Sequence, residues 1–249
     1  MGGYYGAVSS KDVVADVFYG TDYHSHLGTR RGGMAFWDKE KGFKRDIHNI
    51  ENGPFRTKFE GALDEYTGTA GLGCISDTDA QPLLIFSKLG RYAIAYTGAV
   101  QNQDDLIEEA LSKPGTHFEA LKGGRVNSLE VIATLINSKS SFVEGLKFMQ
   151  EKVEGSASVL ILTERGTIIA SRDKYGRTPI VIGRDDYGFS VSFESFAFQK
   201  MGYETYRELG PGEIVEIKSD GIKTLKEAGK KMKKCGFFWA YYGNANSTY

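Results

Sequence analysis

The sequence predicts an α+β protein in which two antiparallel sheets stack face to face and helices cover their outer faces. Three observations carry this. Short segments of β-type composition fall into an early and a late group, with two or three helices between them, and a sheet-on-sheet core with outer helices satisfies that order. Several of these segments are continuous apolar runs, above all Val159-Leu160-Ile161-Leu162, as expected of strands covered on both faces. Glycine is abundant, 31 residues against five prolines, which suits tight turns between short strands better than a bundle of long helices.

In chain order, the expected strands are Tyr4–Ser9, Met34–Trp37, Gly71–Ile75, Leu83–Phe86, Tyr92–Tyr96, Ser158–Thr163, Thr167–Ser171, Ile180–Ile182, Phe189–Phe193 and Glu213–Ile217. Glu164-Arg165-Gly166 reads as a hairpin turn. Asp12–Tyr23 reads as a helix because Val13, Val14, Val17 and Phe18 share a face. Asn102 can cap a helix through Asp104 to Leu111, whose acidic first turn suits the positive end of the helix dipole. Asn127 with Glu130, and Ser141 with Glu144, have capping-box spacing. They open helices over Leu129–Asn137 and Phe142–Val153, a pair expected on one face of the sandwich.

Leu225–Lys234 reads as a helix ending in a basic cluster. Lys218–Lys234 holds seven Lys against Asp220 and Glu227, so 7 − 2 gives net +5. A solvated helix face and hairpin is the expected role, with contact to an anionic ligand as the alternative. Residues 1–234 form one domain in this reading, and 235–249 an aromatic tail. Phe237, Phe238, Trp239, Tyr241 and Tyr242 in that tail call for burial against the domain itself, a neighbouring subunit or a further domain.

Composition narrows the function classes. A chain of 249 residues is expected to keep about 11,000 Å² of surface from roughly 40,000 Å² when extended, which leaves room for a core without disulfides or metals. Hydrophobic content of 41% with 25% charged residues excludes the disordered class. No apolar run reaches membrane-spanning length, and Met-Gly-Gly-Tyr-Tyr-Gly has neither the basic nor the apolar region of a signal peptide. Gly6 also makes it a poor myristoylation site. A net charge of −1 and a pI near 6.5 argue against nucleic acid as a partner. Two cysteines, Cys74 and Cys235, make neither a disulfide framework nor a zinc site and fit a reducing cytoplasm.

Several segments, read together, carry a resemblance. They are Gly2-Gly3-Tyr4-Tyr5-Gly6; Tyr23-His24-Ser25-His26-Leu27-Gly28 followed by Gly33-Met34-Ala35; Gly71-Leu72-Gly73-Cys74-Ile75-Ser76 with Ala80-Gln81-Pro82 behind it; and Tyr96-Thr97-Gly98-Ala99-Val100-Gln101-Asn102. Later in the chain come Arg172-Asp173-Lys174-Tyr175-Gly176-Arg177-Thr178-Pro179, Ser192-Phe193-Glu194-Ser195, Pro211-Gly212-Glu213-Ile214 and Tyr241-Tyr242-Gly243-Asn244-Ala245-Asn246-Ser247. In this order, over essentially the whole chain, they resemble the N-terminal glutaminase domain of the amidophosphoribosyltransferases. Those domains are class II glutamine amidotransferases of the N-terminal-nucleophile hydrolase superfamily.

The resemblance implies a four-layer αββα sandwich and a chemistry. An N-terminal Cys attacks the side-chain amide of glutamine, with its own α-amino group as base. Gly and Asn donors hold the oxyanion, and an Arg and an Asp grip the α-carboxylate and α-amino group of the substrate. At those positions this sequence departs from the family. The nucleophile position is Gly2, so removal of Met1 would expose an amine without a thiol. The Arg falls on Ser76, the oxyanion Asn on Thr97 with Gly98 retained, and the Asp on Ser128; the Arg of the family's His-Arg-Gly segment is Leu27. No catalytic residue is intact, and Gly2, Ser76, Thr97, Gly98 and Ser128 form a vestigial substrate and oxyanion pocket.

The remaining candidates have plainer readings. Cys74 in an apolar strand is expected to be a buried, inert thiol rather than a relocated nucleophile, and Cys235 a structural one. His24 and His26 at i,i+2 do not share a helix face, so no metal pair is expected. Asp77, Thr78 and Asp79 read as a polar turn, and Arg172-Asp173 as a structural ion pair. No cofactor or metal is expected. Three functions stay open: a degenerate domain with a structural or regulatory role, a working amidotransferase supplying ammonia for phosphoribosylamine synthesis in purine biosynthesis, and a domain that binds a small polar ligand in the altered pocket. The expected partners are a phosphoribosyltransferase domain or subunit and further copies of the chain, with no nucleic acid and no membrane.

Overall fold

A computed structural model describes residues 2–119 and 124–248; Met1 and Tyr249, which enter the reading of the two ends above, lie outside the described residues. In chain order the elements are β1 (Gly2–Ser9), α1 (Val14–Asp22), β2 (Arg31–Asp38), β3 (Gly42–Asn49), α2 (Phe55–Phe59), β4 (Ala70–Ser76), β5 (Leu83–Ser87), β6 (Gly90–Val100), α3 (Gln103–Leu111), α4 (Ser128–Asn137), α5 (Phe142–Lys152), β7 (Gly155–Thr163), β8 (Ile168–Ser171), β9 (Val181–Arg184), β10 (Gly188–Ser192), α6 (Phe196–Met201), β11 (Glu204–Glu208), β12 (Ile214–Lys218), β13 (Gly221–Lys226) and α7 (Gly236–Tyr241). One sheet runs β11-β9-β10-β1-β4-β2-β3 and the other β13-β12-β8-β7-β6-β5. The registered pairs in both sheets are antiparallel.

Strand alternation builds the layers. On β1, Tyr4 and Val8 face the opposite sheet, and with Leu72 and Cys74 of the neighbouring β4 they form one core cluster with Ala95, Leu160 and Ile168 from that sheet. Tyr5 and Ala7 face the other way, onto Val17, Phe18, Phe36 and Phe198, as the period of two requires. On β7, Leu160 and Leu162 lie between the sheets, whereas Val159 and Ile161 sit under Leu129, Ile132 and Leu146 of α4 and α5. The apolar run Val159–Leu162 is therefore buried on both sides. Helices α1, α2 and α6 cover one sheet and α3 to α5 the other, giving the αββα sandwich expected. No helix among the described residues is long and apolar enough to cross a membrane.

All ten expected strands are present, within a few residues of their bounds. The missed ones, β3, β11 and β13, are edge strands with partly exposed faces, so they lack the apolar signal that burial imposes. The short helices α2, α6 and α7 are likewise absent from the sequence expectation. The helix expected over Leu225–Lys234 is not one: Leu225 and Lys226 close β13 and the chain then runs on without helix through Lys234. As part of β13, Ile222 packs against the core between the sheets and Leu225 against the layer under α4 and α5.

The two capping serine and asparagine signals behave as expected at one end only. Asn127 Oδ1 accepts from Leu129 N–H at 2.8 Å and Ser141 Oγ from Glu144 N–H at 3.2 Å. The glutamates do not reciprocate; Glu130 accepts from Glu119 N–H and Glu144 pairs with Lys147. Asn102 does not cap α3, because its side chain spans to Lys152 O and Glu154 N–H instead. Asn127 also donates to Ala80 O at 2.9 Å. Asn127→Ala therefore removes a cap and a tertiary bond, and is expected to lower the urea-unfolding free energy by about 1–2 kcal/mol.

Candidate functional site

The site forms where the two sheets open at one end. Gly2 at the start of β1 lies opposite Ser76 at the end of β4. Tyr96, Thr97 and Gly98 approach from β6 in the other sheet. With Thr78 and Gln81 they enclose a cavity of about 30 Å³, on the order of the space one water molecule occupies. Of the five pocket residues expected, Gly2, Ser76, Thr97 and Gly98 line this cavity. Ser128 does not; it stands at the first turn of α4, where its N–H meets Asp79 Oδ1 at 3.4 Å.

The chain's own polar groups fill the surroundings. Ser76 Oγ accepts from the N–H groups of Thr78 and Asp79, each at 3.2 Å, closing the turn. Asp79 is buried, and its Oδ2 accepts from Tyr96 O–H at 3.0 Å. Burial and the neighbouring Asp79 carboxylate push the Tyr96 phenol above its ordinary pKa, so it remains a donor at neutral pH. Gln81 Oε1 accepts from Tyr96 N–H at 2.8 Å, fixing β6 against the 77–82 turn.

Two glycines are fixed by close approach. A Cβ on Gly2 would collide with the carbonyl oxygen of Ile75 on the paired strand. Gly98 has φ +151°, and a Cβ there would strike Ser156 O; only glycine fits comfortably. Thr97 Oγ1, beside them, is buried and has no hydrogen-bond partner among the described residues. In the sequence Asp79 reads as part of a polar turn between strands and Tyr96 as the end of a strand, with nothing to join them. Their pairing spans 17 residues, and no local pattern signals it.

The other candidates separate. His24 is buried, its Nδ1 bonded to Gly20 O at 2.7 Å and its Nε2 to Ser192 Oγ at 3.1 Å; burial lowers its pKa to about 4. His26 instead faces the Glu194 carboxylate at 2.7 Å. Asp77 accepts from Thr29 N–H at 2.7 Å. Arg172 and Asp173 are structural but not a pair: Arg172 meets Glu208 at 2.7 Å, while Asp173 accepts from Tyr175 and Arg177 N–H.

Cys74 lies in the core between the sheets, and burial pushes its thiol above the ordinary range. Cys235 is half-buried. In native protein at pH 8, a thiol reagent such as dithiobisnitrobenzoate is expected to modify Cys235 and leave Cys74 untouched until denaturant is added. Rapid labelling of both native thiols would contradict this placement.

The glutamine amidotransferase domain model matches residues 72–199. The amidophosphoribosyltransferase of Methanocaldococcus jannaschii is 30% identical over 225 residues, 86% of this chain and 46% of that protein. That of Bacillus subtilis is 28% identical over 99% of this chain and 52% of its own length. Among solved structures, the Bacillus subtilis glutamine phosphoribosylpyrophosphate amidotransferase complexed with ADP and GMP superimposes with a TM-score of 0.84 at 23% identity, over 100% of this chain and 54% of that one. The chain thus spans about half the length of these relatives.

Proposed function

The chain belongs to the glutamine amidotransferase domain family, as a class II domain of the N-terminal-nucleophile type, and from that premise we propose that it is a degenerate member without glutaminase activity. The observation that carries this is the environment of Gly2. Glycine offers no nucleophile, and the Ile75 carbonyl occupies the space that a side chain there would need. The pocket beyond it has room on the order of one water molecule rather than an amino acid. At the positions aligned with the substrate grips, Ser76 is engaged in a turn and Ser128 presents a backbone N–H to Asp79. A short neutral serine does not replace a guanidinium on a carboxylate.

The role of such a domain is structural or regulatory, beside a phosphoribosyltransferase domain or subunit. The relatives are about twice as long as this chain, which supports that partner. The tail supports it too: Phe238 is anchored against Phe193 at 5.0 Å between ring centroids, while Phe237 and Tyr241 on α7 are 60% and 75% exposed. A second reading, binding of a small polar ligand, is favoured by the unpartnered Thr97 hydroxyl in the cavity. The test is ammonia release from glutamine, with a thermal-shift screen of small polar compounds beside it. Turnover of glutamine would overturn the degenerate reading, and a ligand whose stabilising effect disappears in Thr97→Val would establish the second.

A further inference from the structure

The basic run Lys218–Lys234 has no part in the pocket, and its path is informative. After β13 it folds back as an extended strap along the 172–179 loop, with Lys233 N–H donating to Tyr175 O at 2.8 Å and Gly229 N–H to Pro211 O at 2.7 Å. This brings Lys231 Nζ to 5.9 Å and Lys233 Nζ to 4.8 Å from the centre of the Tyr175 ring. From the loop itself, Lys174 Nζ lies at 5.7 Å and the Arg177 guanidinium at 5.1 Å from the same point. Four cations from two separate segments thus surround one half-buried ring.

No ion pair neutralises these four cations among the described residues. The acid within the loop, Asp173, is buried and turned inward onto the N–H groups of Tyr175 and Arg177. The strap contributes a single acid, Glu227. Like charges held this close repel one another, and the quadrupole of one aromatic ring offsets only part of that. A multiply charged anion seated among them would remove the repulsion and gain charge-assisted hydrogen bonds.

We infer that the Lys174–Arg177–Lys231–Lys233 cluster is a binding site for a compact polyphosphate, a di- or triphosphate group. The footprint favours a small anion over a nucleic acid strand. All four charges lie within 6 Å of the centre of the Tyr175 ring, so no two of them are further apart than twice that, and the whole chain is net −1. A strand leaving the patch would run onto a surface of opposite overall balance, whereas a di- or triphosphate ends inside it.

The test is titration calorimetry of the full chain with inorganic tripolyphosphate at low salt, with pyrophosphate and a single-stranded RNA oligonucleotide as parallel arms. Tripolyphosphate is expected to bind saturably at one site and to weaken as salt is raised. The triple variant Lys174→Gln, Lys231→Gln, Lys233→Gln is expected to lose at least about tenfold in affinity. The triple variant Lys58→Gln, Lys88→Gln, Lys200→Gln removes the same charge from exposed lysines elsewhere and is expected to change affinity by less than about twofold. Equal losses in the two variants would reduce the effect to net charge and overturn the site. So would the lack of saturable tripolyphosphate binding, and so would RNA binding that tripolyphosphate does not displace.

Discussion

Purified protein given glutamine is expected to release ammonia no faster than a protein-free control, and Gly2→Cys is expected to leave that rate unchanged. The first half follows from the missing thiol; loss of the nucleophile alone costs about 10⁶ in kcat in subtilisin. The second half follows from geometry. A cysteine at position 2 would drive its Cβ into the Ile75 carbonyl, on a strand paired with β1 from Gly2 to Val8. The ladder would have to shift to admit it, an overpacking cost of about 1–3 kcal/mol. Even then the thiol would face a threonine hydroxyl rather than an amide donor, and no arginine would place the substrate; positioning is a large share of such catalysis. The variant should therefore melt at a lower temperature than the unaltered protein while staying inactive. Ammonia release near one per second by the unaltered protein, a rate typical of enzymes, would reverse the reading, and Cys74→Ser would then show whether the core thiol takes part.

The parts legible in the sequence share one physical property: their residues are buried on a regular period. Val159–Leu162 could be read as a fully covered strand because both of its faces meet apolar layers. Gly42–Asn49 could not, because β3 is an edge strand with little buried side-chain surface, and neither could Glu204–Glu208. The same limit applies in the site. Gly2, Ser76, Thr97 and Gly98 were reachable through local motifs that resemble a family, whereas Ser128 stands outside the cavity. Tyr96–Asp79 was not, because it is made by two segments whose approach depends on the sandwich closing. The basic run was legible as charge, but its destination at Tyr175 depends on a backbone bond from Lys233 that composition does not encode.

Arg172→Ala is expected to be the most destabilising single change to a charged residue, lowering the urea-unfolding free energy by about 3–5 kcal/mol. Its side chain is only 3% exposed, and it ties three segments together from the end of β8. Nη1 donates to Leu209 O and meets Glu208 Oε1 at 2.7 Å, and Nη2 donates to Gly176 O at 2.8 Å. Truncation leaves two carbonyls and a carboxylate without their donor and opens space beneath the 173–177 loop. Arg172→Lys keeps the charge but cannot serve all of these acceptors from one ammonium, so it should recover only part of the loss. Glu208→Ala is the discriminating control. That carboxylate is 37% exposed, so its removal should cost about 1 kcal/mol or less, because the guanidinium keeps its carbonyl partners. Equal effects of Arg172→Ala and Glu208→Ala would mean that the ion pair, rather than the buried carbonyls, holds the loop. The expected inequality would mean that Arg172 acts chiefly as a hydrogen-bonding brace, and that Lys174, Tyr175 and Arg177 owe their fixed positions to it.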